Sequence, residues 1–195
     1  MKNIWKNFIA AALLCVGAHA IADPILSIDT GSGSAQLGSQ VDFTVNIADI
    51  ADLYGYQFTL NYDARFLRAL DGIEGGFLAT GGNTFANMGA YDSNAGTISF
   101  VYNTLLGPGP GVSGSGLLAT FRFETIGIGD AALSFTDFIF LDSNLDDIAL
   151  QAQGAQFSVL DDAPSDVPEP ASILLIGAGL AGVAALRRRG PVAQA

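Results

Sequence analysis

Between Gln40 and Asp49 apolar and polar residues take strict turns, with Val41, Phe43, Val45 and Ile47 set against Asp42, Thr44 and Asn46. A period of two over this length predicts a β-strand with one buried face. Leu53–Asp63 repeats the pattern, with Tyr54, Tyr56, Phe58, Leu60 and Tyr62 inward and Gln57, Thr59 and Asn61 outward. These two strands are expected to pair across Asp49–Asp52. Upstream, Ile25–Thr30 reads as a first strand closed by Gly31-Ser32-Gly33-Ser34. From Ala64 to Ala90 the pattern weakens into a glycine-rich run, for which one or two short strands and a long loop are expected. Tyr91 leads into the hairpin turn Asp92-Ser93-Asn94-Ala95-Gly96, and Thr97–Thr104 returns with Ile98, Phe100 and Tyr102 on one face.

Gly107-Pro108-Gly109-Pro110-Gly111 breaks any regular element. Gly116–Ile126 then places Leu117, Ala119, Phe121 and Phe123 inward, against Thr120, Arg122 and Glu124. Along Ala131–Leu141 the apolar positions start odd (Leu133, Phe135) and finish even (Phe138, Phe140), and a one-residue phase change of this kind indicates a bulge. The same change recurs across Gly154, where Ile148, Leu150 and Ala152 give way to Ala155, Phe157 and Val159. Eight or nine short strands, turn signals at every gap and no amphipathic helix of useful length predict an all-β protein, a β-sandwich of jelly-roll type.

The two ends carry a different pattern. Lys2 and Lys6 precede an apolar run from Phe8 to Ala18, and small-residue sites follow at Ala18-His19-Ala20 and Ala20-Ile21-Ala22. Residues 1–22 therefore read as a secretory signal peptide, cut after Ala22 or Ala20. Leu14 ahead of Cys15 argues against a lipoprotein site, which needs a small residue there. At the other end, Pro168-Glu169-Pro170 precedes an uncharged apolar segment, Ala171–Leu186, and then Arg187, Arg188 and Arg189. As a helix that segment would reach roughly 24 Å, somewhat short of the ~30 Å bilayer core. The arginine triplet is expected to stay cytoplasmic while the acidic passenger lies across the membrane. Gly177, Gly179 and Gly182 spell GxGxxG, but only thirteen residues follow and none is acidic, so the dinucleotide reading fails. Small residues that let another helix approach are the better account.

These three tail features in this order resemble the PEP-CTERM sorting signal of Gram-negative bacteria. The resemblance implies that a membrane-embedded exosortase cuts near Pro168–Pro170. It also implies an inner-membrane-tethered precursor, inserted transiently, whose passenger reaches the cell surface or an exopolysaccharide matrix. The expected organisation is a signal peptide (1–22), a β-sandwich (23–160), an acidic proline-rich linker (161–170) and a membrane helix with its arginine tail (171–195).

Composition narrows what the passenger can do. The only Cys, His and Trp and both lysines lie in the signal peptide. Thiol and imidazole chemistry, the usual zinc sites and disulfides are thereby excluded from Asp23–Asp166. That segment holds eighteen acidic residues against Arg65, Arg68 and Arg122, a formal −15, which repels nucleic acid and anionic membranes. Asp142, Asn144 and Asp146 occupy the first, third and fifth positions of a calcium loop, but Asp147 stands where glycine is needed and Gln153 where a bidentate Glu is needed. The stretch reads as a solvated turn, a structural calcium of another geometry being the alternative, and no other cofactor is expected. Eighteen carboxylates place some pair at glycosidase spacing by chance, so spacing alone is no argument for a hydrolase. No catalytic residue is nominated.

The run Gln40-Val-Asp-Phe-Thr-Val, then Tyr54-Gly-Tyr-Gln-Phe-Thr-Leu-Asn-Tyr-Asp, Gly96-Thr-Ile-Ser-Phe, Gly114-Ser-Gly-Leu-Leu-Ala-Thr-Phe-Arg-Phe and a closing Gly154–Val159 strand resembles a cohesin domain. That resemblance implies a nine-stranded jelly roll that binds a dockerin-like protein or a polysaccharide without catalysis. A coat protein that binds nothing specifically is the alternative, and a carboxylate-only glycoside hydrolase is the less favoured third. The candidate contacts are the outward Gln57, Thr59 and Asn61, with Tyr91 as the tyrosine expected to be exposed beside its turn.

Overall fold

The computed structural model describes residues 23–161. The signal-peptide sites Ala20 and Ala22, the sorting residues Pro168, Glu169 and Pro170, the apolar segment and Arg187, Arg188 and Arg189 lie outside the described residues. The chain divides between Asp161 and Asp162 into two units, and the first is described here.

Eleven strands build it: β1 Ile25–Asp29, β2 Ser34–Gln36, β3 Gln40–Leu53, β4 Gly55–Tyr62, β5 Leu67–Glu74, β6 Thr84–Asp92, β7 Thr97–Leu105, β8 Val112–Thr125, β9 Gly129–Leu141, β10 Gln151–Gln153 and β11 Ala155–Leu160. Nine have five residues or more, and β2 and β10 have three each. They form a five-stranded sheet, β10-β1-β3-β8-β5, packed on a six-stranded sheet, β2-β11-β9-β4-β7-β6. Among the described residues no helix is long and apolar enough to cross a membrane.

Phenylalanines from both sheets fill the space between. Phe43, Phe58, Phe121, Phe123, Phe140 and Phe157 are fully buried. Phe43 of the five-stranded sheet meets Phe157 of the other edge-on at 4.9 Å, and Phe123 meets Tyr62 at 5.1 Å. Such pairs each add about 0.5–1.5 kcal/mol beyond the area they bury.

Several expectations are corrected here. The strands before and after Asp49–Asp52 do not pair. β3 continues to Leu53 in one sheet, and β4 begins at Gly55 in the other. Asp49 and Asp52 both adopt φ of 56°, and around them the register against β8 shifts, so Ile47, Ile50 and Leu53 are all buried although three apart. Two bulges stand where a turn was expected, and Tyr54 at the crossover is half-buried. The glycine-rich stretch contains two strands, as expected, but in place of a long loop only residues 75–83 with one 3-10 turn (Leu78–Gly81) join β5 to β6, because pairing with β8 and β7 supplies the order that local alternation lacks. In β8 the buried neighbour of Ala119 is Leu118 rather than Leu117, again at a register shift.

The phase change at Gly154 is no bulge. β10 pairs with β1 and β11 with β9, so the chain changes sheet there, and Ala152 is exposed. A side chain at Gly154 would meet the Leu133 carbonyl oxygen at 2.4 Å. The bulge expected in β9 is present at Asp137 (φ 48°), but Phe138 beside it is half-exposed and only Phe140 is buried. In β7, Phe100 adopts φ of 57° and the register against β4 slips there, so Val101, Asn103 and Leu105 face the core. Phe100 and Tyr102 are not inward.

Candidate functional site

The bulge in β7 decides what the outer face of the six-stranded sheet presents. Across its middle, β-pairing puts Asn87, Tyr102, Gln57 and Ile139 in one row. The row above contains Phe85, Thr104, Gly55 and Leu141. Below, Thr59 stands beside Thr136, and Asn61 beside Ser134 and Thr97. Phe100 is 64% exposed and Phe85 56%, and the Phe85 ring lies 6.0 Å from that of Tyr102. Because Gly55 lacks a side chain, a hollow of about 270 Å³ opens there, flanked by Tyr102, Thr104, Ile139 and Leu141 and touching Gln57.

On this face β4 and β7 contain no Asp, Glu, Lys, Arg or His and β6 has one, Asp92, at its end, while the neighbouring β9 adds the exposed Asp137 at its bulge. The outer face of the five-stranded sheet differs. There Arg122 donates to the Asp42 carboxylate at 2.8 and 3.2 Å, and Arg68 pairs with Glu124. The Arg122 hydrogen bond holds the Asp42 carboxyl below its ordinary value, against a smaller opposing effect of burial.

Of the sequence candidates, Gln57, Thr59 and Asn61 share this outer face. Asn61 Nδ2 donates to Thr136 Oγ1 at 3.0 Å, which fixes its amide. Tyr91 does not join them. It pairs with the buried Ile98 on the inner side, at the open edge between the sheets, and its hydroxyl sits where a side chain at Gly72 would come within 2.7 Å. Burial first, then Asp71 and Tyr62, push that hydroxyl up to about 12. The residues missed by sequence reasoning are Phe85, Phe100, Tyr102 and Ile139. Three sit in phase with their strands' outward positions once the bulges are known, and alternation alone gave no signal for the bulge at Phe100.

The acidic turn is held by its own backbone. Asp142 Oδ1 accepts the N–H of Asn144 at 2.8 Å and of Asp146 at 2.9 Å, and these bonds lower the Asp142 pKa. Asn144 and Asp146 are exposed. Nearby, the Asp52 carboxylate accepts from Ser143 Oγ at 2.6 Å and from the Gly111 N–H at 2.6 Å, which pins two loops to the end of β3. Among the described residues no group of three His, Cys, Asp or Glu side chains is placed to hold a metal ion.

Comparison with known families and structures matches the same two regions. The cohesin domain matches residues 26–154. The chain belongs to the cohesin family. Residues 166–189 match the PEP-CTERM protein-sorting motif. Comparison with curated proteins returned no match. Among solved structures, the sixth cohesin of Acetivibrio cellulolyticus scaffoldin B, in complex with a Cel5 dockerin mutant, is 24% identical with a TM-score of 0.57, covering 71% of this chain and 99% of that one. The OlpC cohesin of Clostridium thermocellum, in complex with Doc435, is 12% identical at 0.59, covering 71% and 94%. A non-cellulosomal cohesin from the archaeon Archaeoglobus fulgidus is 14% identical at 0.57, covering 76% and 99%. At these identities the likeness carries the fold. A cohesin domain followed by a sorting motif is the make-up of an exported, non-catalytic surface protein.

Proposed function

We propose that this cohesin docks a dockerin-like protein on the outer face of its six-stranded sheet, after export and exosortase cleavage near Pro168–Pro170 have delivered it to the surface or matrix of a Gram-negative cell. One observation carries the reading. In a module of formal charge −15 the part of this face built by β4 and β7 has no charged side chain, and the face exposes Phe85, Phe100 and Ile139 beside the half-buried Tyr102, which flanks a hollow together with Ile139. Exposed apolar patches of this kind on a soluble module mark interaction sites, and an aromatic anchor beside a pocket is the usual energetic centre of an interface. Cohesins in the solved complexes are bound to dockerins.

The test is calorimetric titration of the full-length chain with dockerin modules encoded in the same genome. Saturable binding that weakens at least tenfold in Phe100→Ala and Phe85→Ala is expected. Binding that is unchanged in both variants would overturn the site. A polysaccharide is the second reading, favoured by the Phe85–Tyr102 pair beside the amides of Asn87 and Gln57, since a flat ring can stack on a sugar face. Retention on a glycan array, lost in Tyr102→Ala, would support it. Silence with both dockerins and glycans would favour the coat-protein alternative.

A further inference from the structure

The two sheets end in four edge strands, β10, β5, β2 and β6, and the first three are guarded. β10 and β2 are three residues long, and β5 carries Arg68, Asp71 and Glu74. Short edges and charges are the usual means by which a strand avoids pairing with another chain. β6 has neither. It is nine residues long, contains no Lys, Arg or Pro, and has its single acid, Asp92, at the end.

The ladder shows which backbone groups of β6 are free. The Leu106 N–H donates to the opposite Asn83 carbonyl at 2.8 Å, while the Leu105 N–H turns the other way, to the Tyr54 carbonyl at 2.9 Å. In the register of β6 on β7, Phe85 and Asn87 therefore direct their backbone groups to β7, and Thr84, Ala86 and Met88 direct theirs outward. Among the described residues no backbone hydrogen bond reaches these three from the outer side. β5 meets β6 there from the other sheet by a side chain, Glu74 Oε1 accepting from Thr84 Oγ1 at 2.8 Å and from Asn103 Nδ2 at 2.7 Å. No residue of β6 is fully buried, and Gly89, with φ of 89°, ends its straight part.

We infer that Thr84–Met88 is a dimer edge, at which a second copy of this chain pairs antiparallel about a two-fold axis at Ala86. Ala86 then faces the partner's Ala86, and Thr84 faces the partner's Met88. This register satisfies the outward N–H and C=O groups of all three residues on both copies. Charge selects the same place. Two modules of formal charge −15 repel over most of their surfaces, whereas neither Thr84–Met88 nor β7 beside it carries a charged side chain. Because β2 at the far edge of this sheet is only three residues long, the pairing closes at two copies and does not run on into a fibre. The edge is distinct from the docking face, and its test involves no dockerin.

The test is hydrogen exchange on the full-length chain in detergent, read amide by amide over a thousandfold range of protein concentration. The Thr84, Ala86 and Met88 amides should exchange freely when dilute and slow at least tenfold when concentrated, while those of Phe85 and Asn87 stay protected throughout. Light scattering should show monomer giving way to dimer over the same range, and added salt should favour the dimer by screening the repulsion. Ala86→Pro removes the central outward N–H at an edge position, where proline is tolerated, and should weaken association at least tenfold. Protection of the three amides at every dilution would mean that the edge is closed within one chain, and exchange that never slows would mean that no copy pairs there. Either result overturns the inference. So would a dimer unaltered in Ala86→Pro, which would place the contact elsewhere, or growth beyond two copies. Should Ala86→Pro fail to fold, exchange in the parent chain decides alone.

Discussion

The two outer faces of this sandwich are built by the same alternation and end up opposed in character. On the five-stranded sheet, outward positions carry Asp42, Arg68, Arg122 and Glu124, joined across strands into ion pairs. On the six-stranded sheet the corresponding positions carry Gln57, Thr59, Asn61, Tyr102 and Phe85, and β4 and β7 contribute no charged side chain. The first is a face that water solvates well. The second leaves aromatic surface in water and holds Phe100 in a backbone region that side chains of its type rarely adopt, a cost of order 1–3 kcal/mol. A feature that lowers stability locally and exposes apolar area reads as a contact surface, whereas paired charges on an exposed face need no function beyond solubility.

The contrast can be broken from its shared core outward. Phe121, fully buried and edge-on to Phe58 across the sheets at 6.4 Å, supports both faces at once. Phe121→Ala should cost about 3–5 kcal/mol in denaturant unfolding and abolish docking together with the fold. A loss below about 1 kcal/mol would show that the two sheets are not energetically joined there. Gln57→Lys should leave unfolding nearly unchanged while weakening a dockerin by tenfold or more, because it sets an unpaired charge in the neutral centre. An unaltered affinity would move the docking surface elsewhere.

Phe100→Gly sharpens the comparison by separating stability from contact. Glycine accepts positive φ freely, so the variant should be more stable by about 1 kcal/mol, raising Tm by several degrees, and should bind less well. A fall in Tm would mean that the Phe100 side chain stabilises the sheet. The smallest effect belongs to the charged face. Arg122→Ala should leave the denaturant midpoint almost unmoved and docking unchanged, since both partners are about half exposed and screened. Asp42 has its folded pKa below the ordinary 3.8, so its pairing contributes fully above that value and is lost as pH falls through the lower folded one. Acid unfolding below about pH 4 should therefore be slightly less steep in the Arg122→Ala variant than in the parent.

Much of the fold was readable because a strand with one buried face must alternate. Val41–Ile47 and Tyr56–Tyr62 announce their inner faces, and Asp92–Gly96 announces its hairpin, with the Asp92 carboxylate accepting the Asn94 and Ala95 N–H groups at 2.9 and 3.0 Å. Gln57, Thr59 and Asn61 were legible for the same reason. Tyr91 is exposed, as its place beside the turn suggested, but proximity to a turn says nothing about which face of the sheet a residue joins, and it lies away from Gln57, Thr59 and Asn61. The aromatic part of the candidate surface was invisible because the bulge at Phe100 leaves Ile98, Phe100 and Tyr102 in apparent alternation, without the phase change that revealed the bulge in β9.

What the chain's residues settled unaided were matters of composition and period: a C-terminal sorting motif, a segment Asp23–Asp166 without thiol, imidazole or lysine, and strands enough for a sandwich. These depend on residue type and local spacing, which tertiary context does not alter. What only the folded molecule decided was which strands share a sheet, where Tyr54 and Gly154 carry the chain from one sheet to the other, and which side of β7 its aromatics take. Those outcomes depend on long-range register, where one inserted residue reverses every side chain beyond it, and no local pattern records which distant strand will impose that shift.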